Sequence, residues 1–229
     1  MIHIMNPISL IPLELAAYID HTLLRADSTI YDIEALCTEA REYVFFSVCV
    51  NGSWVLQARH LLEDTGIRVG TVAGFPLGAM SIRAKCLETA TAINDGAQEI
   101  DVVLNIGRLK QGDDPYIFQE LSEIVKAADR HPVKVILETC LLSEDEKIRG
   151  CRLAVESGAS FVKTSTGFNA GGATIDDVSL LRETVGPDFG VKASGGIRDA
   201  RTVLAMIDAG ASRIGTSSGV AIIKECAEK

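Results

Sequence analysis

The sequence predicts an α/β protein folded as a single (β/α)8 TIM barrel. Three observations predict it. Eight short apolar, β-prone runs are each followed by a helical pattern. One marker per run (positions 20, 48, 71, 101, 136, 163, 192 and 215) gives gaps of 23 to 35 residues, about one β-loop-α-loop unit each. No break in composition marks a linker, so residues 1–229 read as one domain, with residues 1–13 as an N-terminal extension. A doubly wound open sheet is the competing architecture, but no G-x-G-x-x-G or G-K-[ST] fingerprint follows the first strand.

Tyr18 to Leu23 reads as the first strand, followed by a helix over about Ile30 to Arg41. Tyr43 to Val50 is near-continuously apolar, as a parallel strand covered on both faces should be. Asn51-Gly52-Ser53 opens a helix to about Leu62. Ile67 to Ala73 is the third strand, closed by Gly74-Phe75-Pro76-Leu77-Gly78, and a helix from Ser81 to Asn94 follows. Gln98 to Asn105 is the fourth, and Pro115 suits the first turn of the helix that runs to Ala128. After the fifth strand, Val133 to Glu138, Ser143 and Glu146 form a capping-box pattern. Ser160 to Ser165 is the sixth strand, and Thr174 opens the next helix with Asp176 and Asp177 in its first turn. Gly190 to Ser194 and Ser212 to Gly215 are the last two strands. Helices are expected over Ile197 to Ala209 and from the eighth strand to the C-terminus.

Composition narrows the function. The formal net charge is −9, which repels nucleic acid and anionic membrane, and no apolar run is long enough to span a bilayer. An anionic substrate would need a local positive pocket. The apolar stretch Met1 to Leu13 lacks a basic leading region and a cleavage site; a lid over one barrel end, or a loose tail, suits it better than a signal peptide. Cys37, Cys49, Cys86, Cys140, Cys151 and Cys226 show neither zinc nor redox spacing, and the four histidines form no metal motif. A cytoplasmic protein with no metal and no cofactor is expected.

The chemistry is expected at the C-terminal strand ends. Lys163 sits inside the apolar run Phe161-Val162-Lys163-Thr164-Ser165-Thr166-Gly167, and Lys192 inside Val191-Lys192-Ala193-Ser194-Gly195-Gly196. Buried lysine is rare without a partner. If both point inward from adjacent strands, their amines approach to about 5 Å and repel by about 3 kcal/mol at an effective dielectric near 20. One of them is then poised to lose its proton and attack a carbonyl. Asp101 supplies a carboxylate that neutralises an ammonium or relays protons through water. The plainer reading is a buried Lys–Asp ion pair without chemistry. Gly167, Gly195, Gly196, Gly215, Ser217 and Ser218 follow strands six to eight, where barrels often cradle phosphate with backbone N–H groups; ordinary turn glycines are the alternative. Cys49 lines the pocket or merely packs, Glu138 is expected to ion-pair at the mouth, and Arg198 is either a surface residue or a ligand contact.

The motifs Tyr18-Ile19-Asp20-His21-Thr22-Leu23-Leu24, Glu99-Ile100-Asp101-Val102-Val103, Phe161 to Gly167 and Val191 to Ile197 resemble those of deoxyribose-phosphate aldolase, across essentially the whole chain. The resemblance implies a class I aldolase that interconverts 2-deoxy-D-ribose 5-phosphate with D-glyceraldehyde 3-phosphate and acetaldehyde. It implies Lys163 as the Schiff-base lysine, Lys192 as the lysine that perturbs it and assists proton transfer, and Asp101 as the relay. It further implies Asp20, Cys49 and Thr166 as pocket residues, the glycine–serine loops as the phosphate cradle, and a homo-oligomer, dimer or tetramer. Two departures are visible: Phe168 stands where some members have lysine, and the sequence stops at Lys229, without the tyrosine-ended tail of some members. A Schiff-base aldolase with another donor, or a non-catalytic phosphate-binding barrel, is the alternative.

Overall fold

A computed structural model describes residues 10–228. The eight strands close into one parallel barrel in sequence order, each hydrogen-bonded to the next and the eighth to the first. They are β1 (Ile19–Leu23), β2 (Ser47–Val50), β3 (Arg68–Ala73), β4 (Glu99–Val103), β5 (Val133–Ile136), β6 (Phe161–Lys163), β7 (Gly190–Ser194) and β8 (Arg213–Thr216). The predicted architecture is therefore the observed one.

The helices alternate with the strands. A short α1 (Pro12–Ala16) precedes β1, and α2 (Ile30–Tyr43), α3 (Val55–Leu61) and α4 (Ile82–Asn94) follow the first three strands. Two helices, α5 (Ile106–Gln111) and α6 (Asp114–Ala127), follow β4; α7 (Glu144–Glu156), α8 (Ile175–Val185), α9 (Ala200–Asp208) and α10 (Gly219–Ala227) complete the ring. The expected caps are in place. Ser143 Oγ accepts from Glu146 N while Glu146 returns a carboxylate oxygen to Ser143 N, and Thr174 Oγ1 accepts from Asp177 N.

Several elements differ from expectation; β4, β5 and β6 are each shorter than expected. Tyr43 ends α2 instead of starting β2, because Val44 turns the chain in the left-handed region (φ 53°). A short 3-10 turn, Gly52–Trp54, precedes α3. The helix after β7 starts at Ala200, capped by Asp199 Oδ1 on Thr202 N, not at Ile197; Gly195 and Gly196, at φ 90° and 79°, keep the preceding segment out of helical geometry. α5 was not expected at all. Of the proposed extension, residues 1–9 lie outside the described residues, while Pro12 and Leu13 belong to α1, which packs against α10.

Strand side chains alternate between two environments. The outward set (Ile19, Val48, Val69, Ile100, Val102, Val133, Val135, Val162, Val191, Ile214) joins the helices in one apolar layer between sheet and helix ring. At roughly 25 cal/mol per Å² of apolar surface buried, this layer is the main stabilising term. The inward set is different: it carries most of the buried charge, and it builds the site.

Candidate active site

Seven charged side chains from six strands meet inside the barrel. The acids are Asp20 (β1), Glu99 and Asp101 (β4); the bases are Lys134 (β5), Lys163 (β6), Lys192 (β7) and Arg213 (β8), all of them buried. Asp101 is the hub. Its Oδ2 accepts from Lys163 Nζ at 2.8 Å and Lys192 Nζ at 2.7 Å, and its Oδ1 accepts from Lys134 Nζ at 2.8 Å. Lys192 also donates to Asp20 Oδ2 at 2.5 Å, while Asp20 Oδ1 accepts from Ser47 Oγ at 2.6 Å and from Arg213 at 2.8 Å. Glu99 joins Lys134 at 2.7 Å and Arg213 at 3.2 Å. The register explains the meeting: Lys163 is level with Lys192, Lys192 with Arg213, and Asp101 with Lys134. Gly215 makes the room, since a Cβ there would stand 3.0 Å from Lys192 Cε.

The groups do not share protons equally. Burial lowers the Lys163 pKa; Asp101 pulls it back up, and repulsion from Lys192 lowers it again, leaving it below the ordinary lysine value. For Lys192, burial acts in the same direction but is outweighed by Asp101 and Asp20, so its pKa is raised. Lys134 is raised as well: burial and Lys192 lower it, but Asp101, Asp20 and Glu99 together outweigh them. Asp101 is held well below the carboxylate range, because Lys134, Lys163 and Lys192 together outweigh its desolvation. Three acids face four bases, and the three bases other than Lys163 hold their protons more tightly than usual. A neutral Lys163 balances the cluster. The expectation that lysine–lysine repulsion is the leading cause is thus corrected: desolvation comes first.

Above the cluster opens a cavity of about 380 Å³. Lys163 is the one cluster residue in its wall. Around it stand Thr22 to Arg25 of β1 and its loop, Thr166 to Phe168 after β6, Ser194 to Arg198 of β7 and its loop, and Gly215 to Ser217 of β8 and its loop. Of the predicted contact residues, Thr166, Gly167, Gly195, Gly196, Gly215 and Ser217 line this cavity, as does Arg198, left undecided by sequence. Asp20, Cys49 and Ser218 do not. Asp20 is only 1% exposed, held inside the ion cluster by Lys192 and Arg213. Cys49 packs with Leu24, Val72 and Phe75, and burial pushes its thiol up to about 11. Ser218 stands at the N-terminal boundary of α10 without a side-chain cap bond, its N–H donating to Thr216 Oγ1 at 2.9 Å. Phe168 lies at the cavity edge, 54% exposed, with its ring edge-on to Phe75 at 5.2 Å between centroids. Glu138 makes no ion pair among the described residues; instead it accepts hydrogen bonds from the β6 loop. Sequence reasoning missed Lys134, Glu99 and Arg213, although Lys134 and Arg213 are each the one charged residue of a short strand, as Lys163 is, and Glu99 shares the inward face of β4 with Asp101. Among the described residues, no three His, Cys, Asp or Glu side chains are grouped to hold a metal ion.

A buried lysine with a lowered pKa, opening into a cavity on a parallel barrel, is the arrangement a Schiff-base aldolase requires. The chain belongs to the DeoC/LacD family of aldolases, whose family model matches residues 15–225. It is similar to the deoxyribose-phosphate aldolase of Alkaliphilus oremlandii, 57% identical over 93% of this chain and 96% of the relative. The deoxyribose-phosphate aldolase of Brevibacillus brevis is also 57% identical, over 90% of this chain and 93% of its own. Among solved structures, a putative deoxyribose-phosphate aldolase from Coccidioides immitis superimposes with a TM-score of 0.92 at 41% identity, covering 95% of this chain and 87% of its own. The tetrameric deoxyribose phosphate aldolase of Aeropyrum pernix gives 0.87 at 35% identity, over 93% and 91%. No helix among the described residues is long and apolar enough to cross a membrane.

Proposed function

We propose that this chain is a deoxyribose-phosphate aldolase, reversibly cleaving 2-deoxy-D-ribose 5-phosphate to D-glyceraldehyde 3-phosphate and acetaldehyde through a Schiff base on Lys163. The observation that carries the reading is the cavity position of Lys163, a lysine with a lowered pKa that shares one Asp101 oxygen with a more strongly protonated Lys192.

The neutral Lys163 amine attacks C1 of the open-chain sugar. The carbinolamine loses water, and the resulting iminium draws electrons from the C2–C3 bond. As that bond breaks, the C3 hydroxyl loses its proton and C3 leaves as the aldehyde of glyceraldehyde 3-phosphate. An enamine remains on Lys163; protonation at C2 and hydrolysis release acetaldehyde and restore the amine. We assign these proton transfers to Lys192 and Asp101; the assignment is supported by both lysines touching Asp101 Oδ2. Lys134 and Arg213 keep Asp101 and Asp20 ionised. The phosphate is assigned to the glycine-rich part of the lining, Gly167, Gly195, Gly196, Gly215 and Ser217, where backbone N–H groups can approach an anion and Arg198 adds a cation. With Phe168 in place of a lysine, backbone donors carry more of that contact. The matched stretch works as one catalytic domain in the cytoplasm. The tetrameric Aeropyrum pernix relative supports assembly as a homo-oligomer.

Borohydride reduction in the presence of 2-deoxyribose 5-phosphate, followed by peptide mass mapping, tests the reading. The adduct is expected on Lys163, and Lys163→Leu should abolish both adduct and turnover. An adduct mapping to Lys192 reverses the two roles; no adduct at all returns the chain to a phosphate-binding barrel. Donor competition between acetaldehyde and dihydroxyacetone excludes another aldolase.

A further inference from the structure

Glu138 is a buried acid with no basic partner among the described residues. It follows β5, is fully buried, and sits in the left-handed region at φ 57°, ψ 62°, which is costly for a residue with a Cβ. Its carboxylate is instead filled by three donors from one four-residue segment. Oε1 accepts from Thr166 N at 3.2 Å; Oε2 accepts from Thr166 Oγ1 at 2.5 Å and from Asn169 Nδ2 at 2.9 Å. Thr166 Oγ1 in turn accepts from Phe168 N at 3.1 Å. With its proton given to Glu138 and one lone pair taken by Phe168, the Thr166 hydroxyl has a single free valence, a lone pair. Thr166 lines the cavity beside Lys163.

We propose that Glu138 is a positioning residue of the active site: its carboxylate clamps residues 166–169 and fixes the Thr166 hydroxyl as a hydrogen-bond acceptor for a substrate hydroxyl. This rests on the aldolase reading for the identity of that substrate, a sugar phosphate whose C3 and C4 hydroxyls can donate. It also explains why a strained backbone and an uncompensated carboxylate are tolerated next to the site. A neutral amide of the same shape cannot do the same. Turned one way, its NH2 opposes the Thr166 backbone N–H; turned the other, it donates to Thr166 Oγ1, and the hydroxyl presents its proton to the cavity instead of its lone pair.

Glu138→Gln separates this role from a merely structural one. For the variant, kcat/KM with 2-deoxyribose 5-phosphate is expected to fall about tenfold, the scale of one lost hydrogen bond. Imine formation with acetaldehyde, which has no hydroxyl, should stay within about twofold of the unmodified protein by the same borohydride trapping. Thr166→Val should reproduce the loss with the sugar, and the double variant should be no worse than either single one. Parallel losses with sugar and acetaldehyde, no loss with the sugar, or additive losses would each overturn the proposal. Amide hydrogen exchange over residues 166–169, measured without substrate, reads the clamp directly. It should accelerate in Glu138→Gln, and unchanged exchange sinks the clamp whatever the substrate is. Failure of the aldolase reading shows separately, as absence of the acetaldehyde adduct in the unmodified protein.

Discussion

Lys163 and Lys192 contact the same oxygen atom and end up with opposite proton affinities, because only Lys192 also reaches Asp20. A second carboxylate sets the two lysines apart: Asp20 helps raise the pKa of Lys192, while that of Lys163 stays lowered. Replacing Lys192 with leucine removes a charge that lowers the Lys163 pKa, while Asp101 remains to raise it. The pKa of Lys163 should therefore rise, and the pH profile of borohydride-trapped adduct should move to higher pH; an unmoved profile would mean that burial alone sets it. The pair was legible in sequence because a lysine inside an apolar strand is conspicuous. Lys134 has the same signature in Val133-Lys134-Val135-Ile136, but nothing in that run marks a strand end, so it drew no attention. Asp20, expected from sequence in the pocket, lies in the ion cluster instead of the cavity wall: sequence cannot tell an acid facing a cavity from one facing a lysine beneath it.

At the scale of elements, the loops after β6 and β7 stand back to back. Ala173 N donates to Gly195 O at 3.0 Å, and a Cβ on Gly172 would strike the Gly195 backbone. Gly172 does not need a positive φ, so alanine is conformationally allowed there, and its effect should be steric. Gly172→Ala is expected to cost about 1–3 kcal/mol of stability by overpacking. It should also push Gly195 out of the cavity wall. Steady-state kinetics should show a larger loss of kcat/KM for 2-deoxyribose 5-phosphate than for unphosphorylated 2-deoxyribose; equal losses would remove Gly195 from the phosphate wall. Element spacing and caps at Ser143 and Thr174 were readable from sequence because they are local signals. α5 was not: its six residues carry too short an apolar pattern, although Asn105, whose side chain caps Arg108 N, and Gly112 bracket it. The late start of α9 is a property of Gly195 and Gly196, which hold a turn in the cavity wall instead of entering the helix.

Over the whole molecule, closure of the barrel and assembly of the site are one event, since the charged cluster draws on six of the eight strands. Breaking it should be expensive. Asp20→Asn leaves Lys192 and Arg213 short of a partner, and about 3–5 kcal/mol of stability should be lost near neutral pH. The Asp20 pKa is lowered in the fold, where Lys192, Lys134 and Arg213 outweigh desolvation. Its contribution is therefore complete above the unfolded carboxylate value of about 4 and is lost as pH falls through the lower folded value. Denaturant titrations of the two proteins should converge only in strong acid. The closed sheet was predictable from eight evenly spaced units, but the charged interior was not, because periodicity shows that a residue faces inward without showing what it meets there. The buried acids of the cluster all come from β1 to β4 and the buried bases all from β5 to β8. Cut between Gly112 and Asp113, the chain yields two fragments with interiors of opposite sign. Neither can pair with its own kind without burying like charges. Co-expressed, residues 1–112 and 113–229 should recognise each other, and size-exclusion chromatography should recover a one-to-one complex in preference to either homodimer.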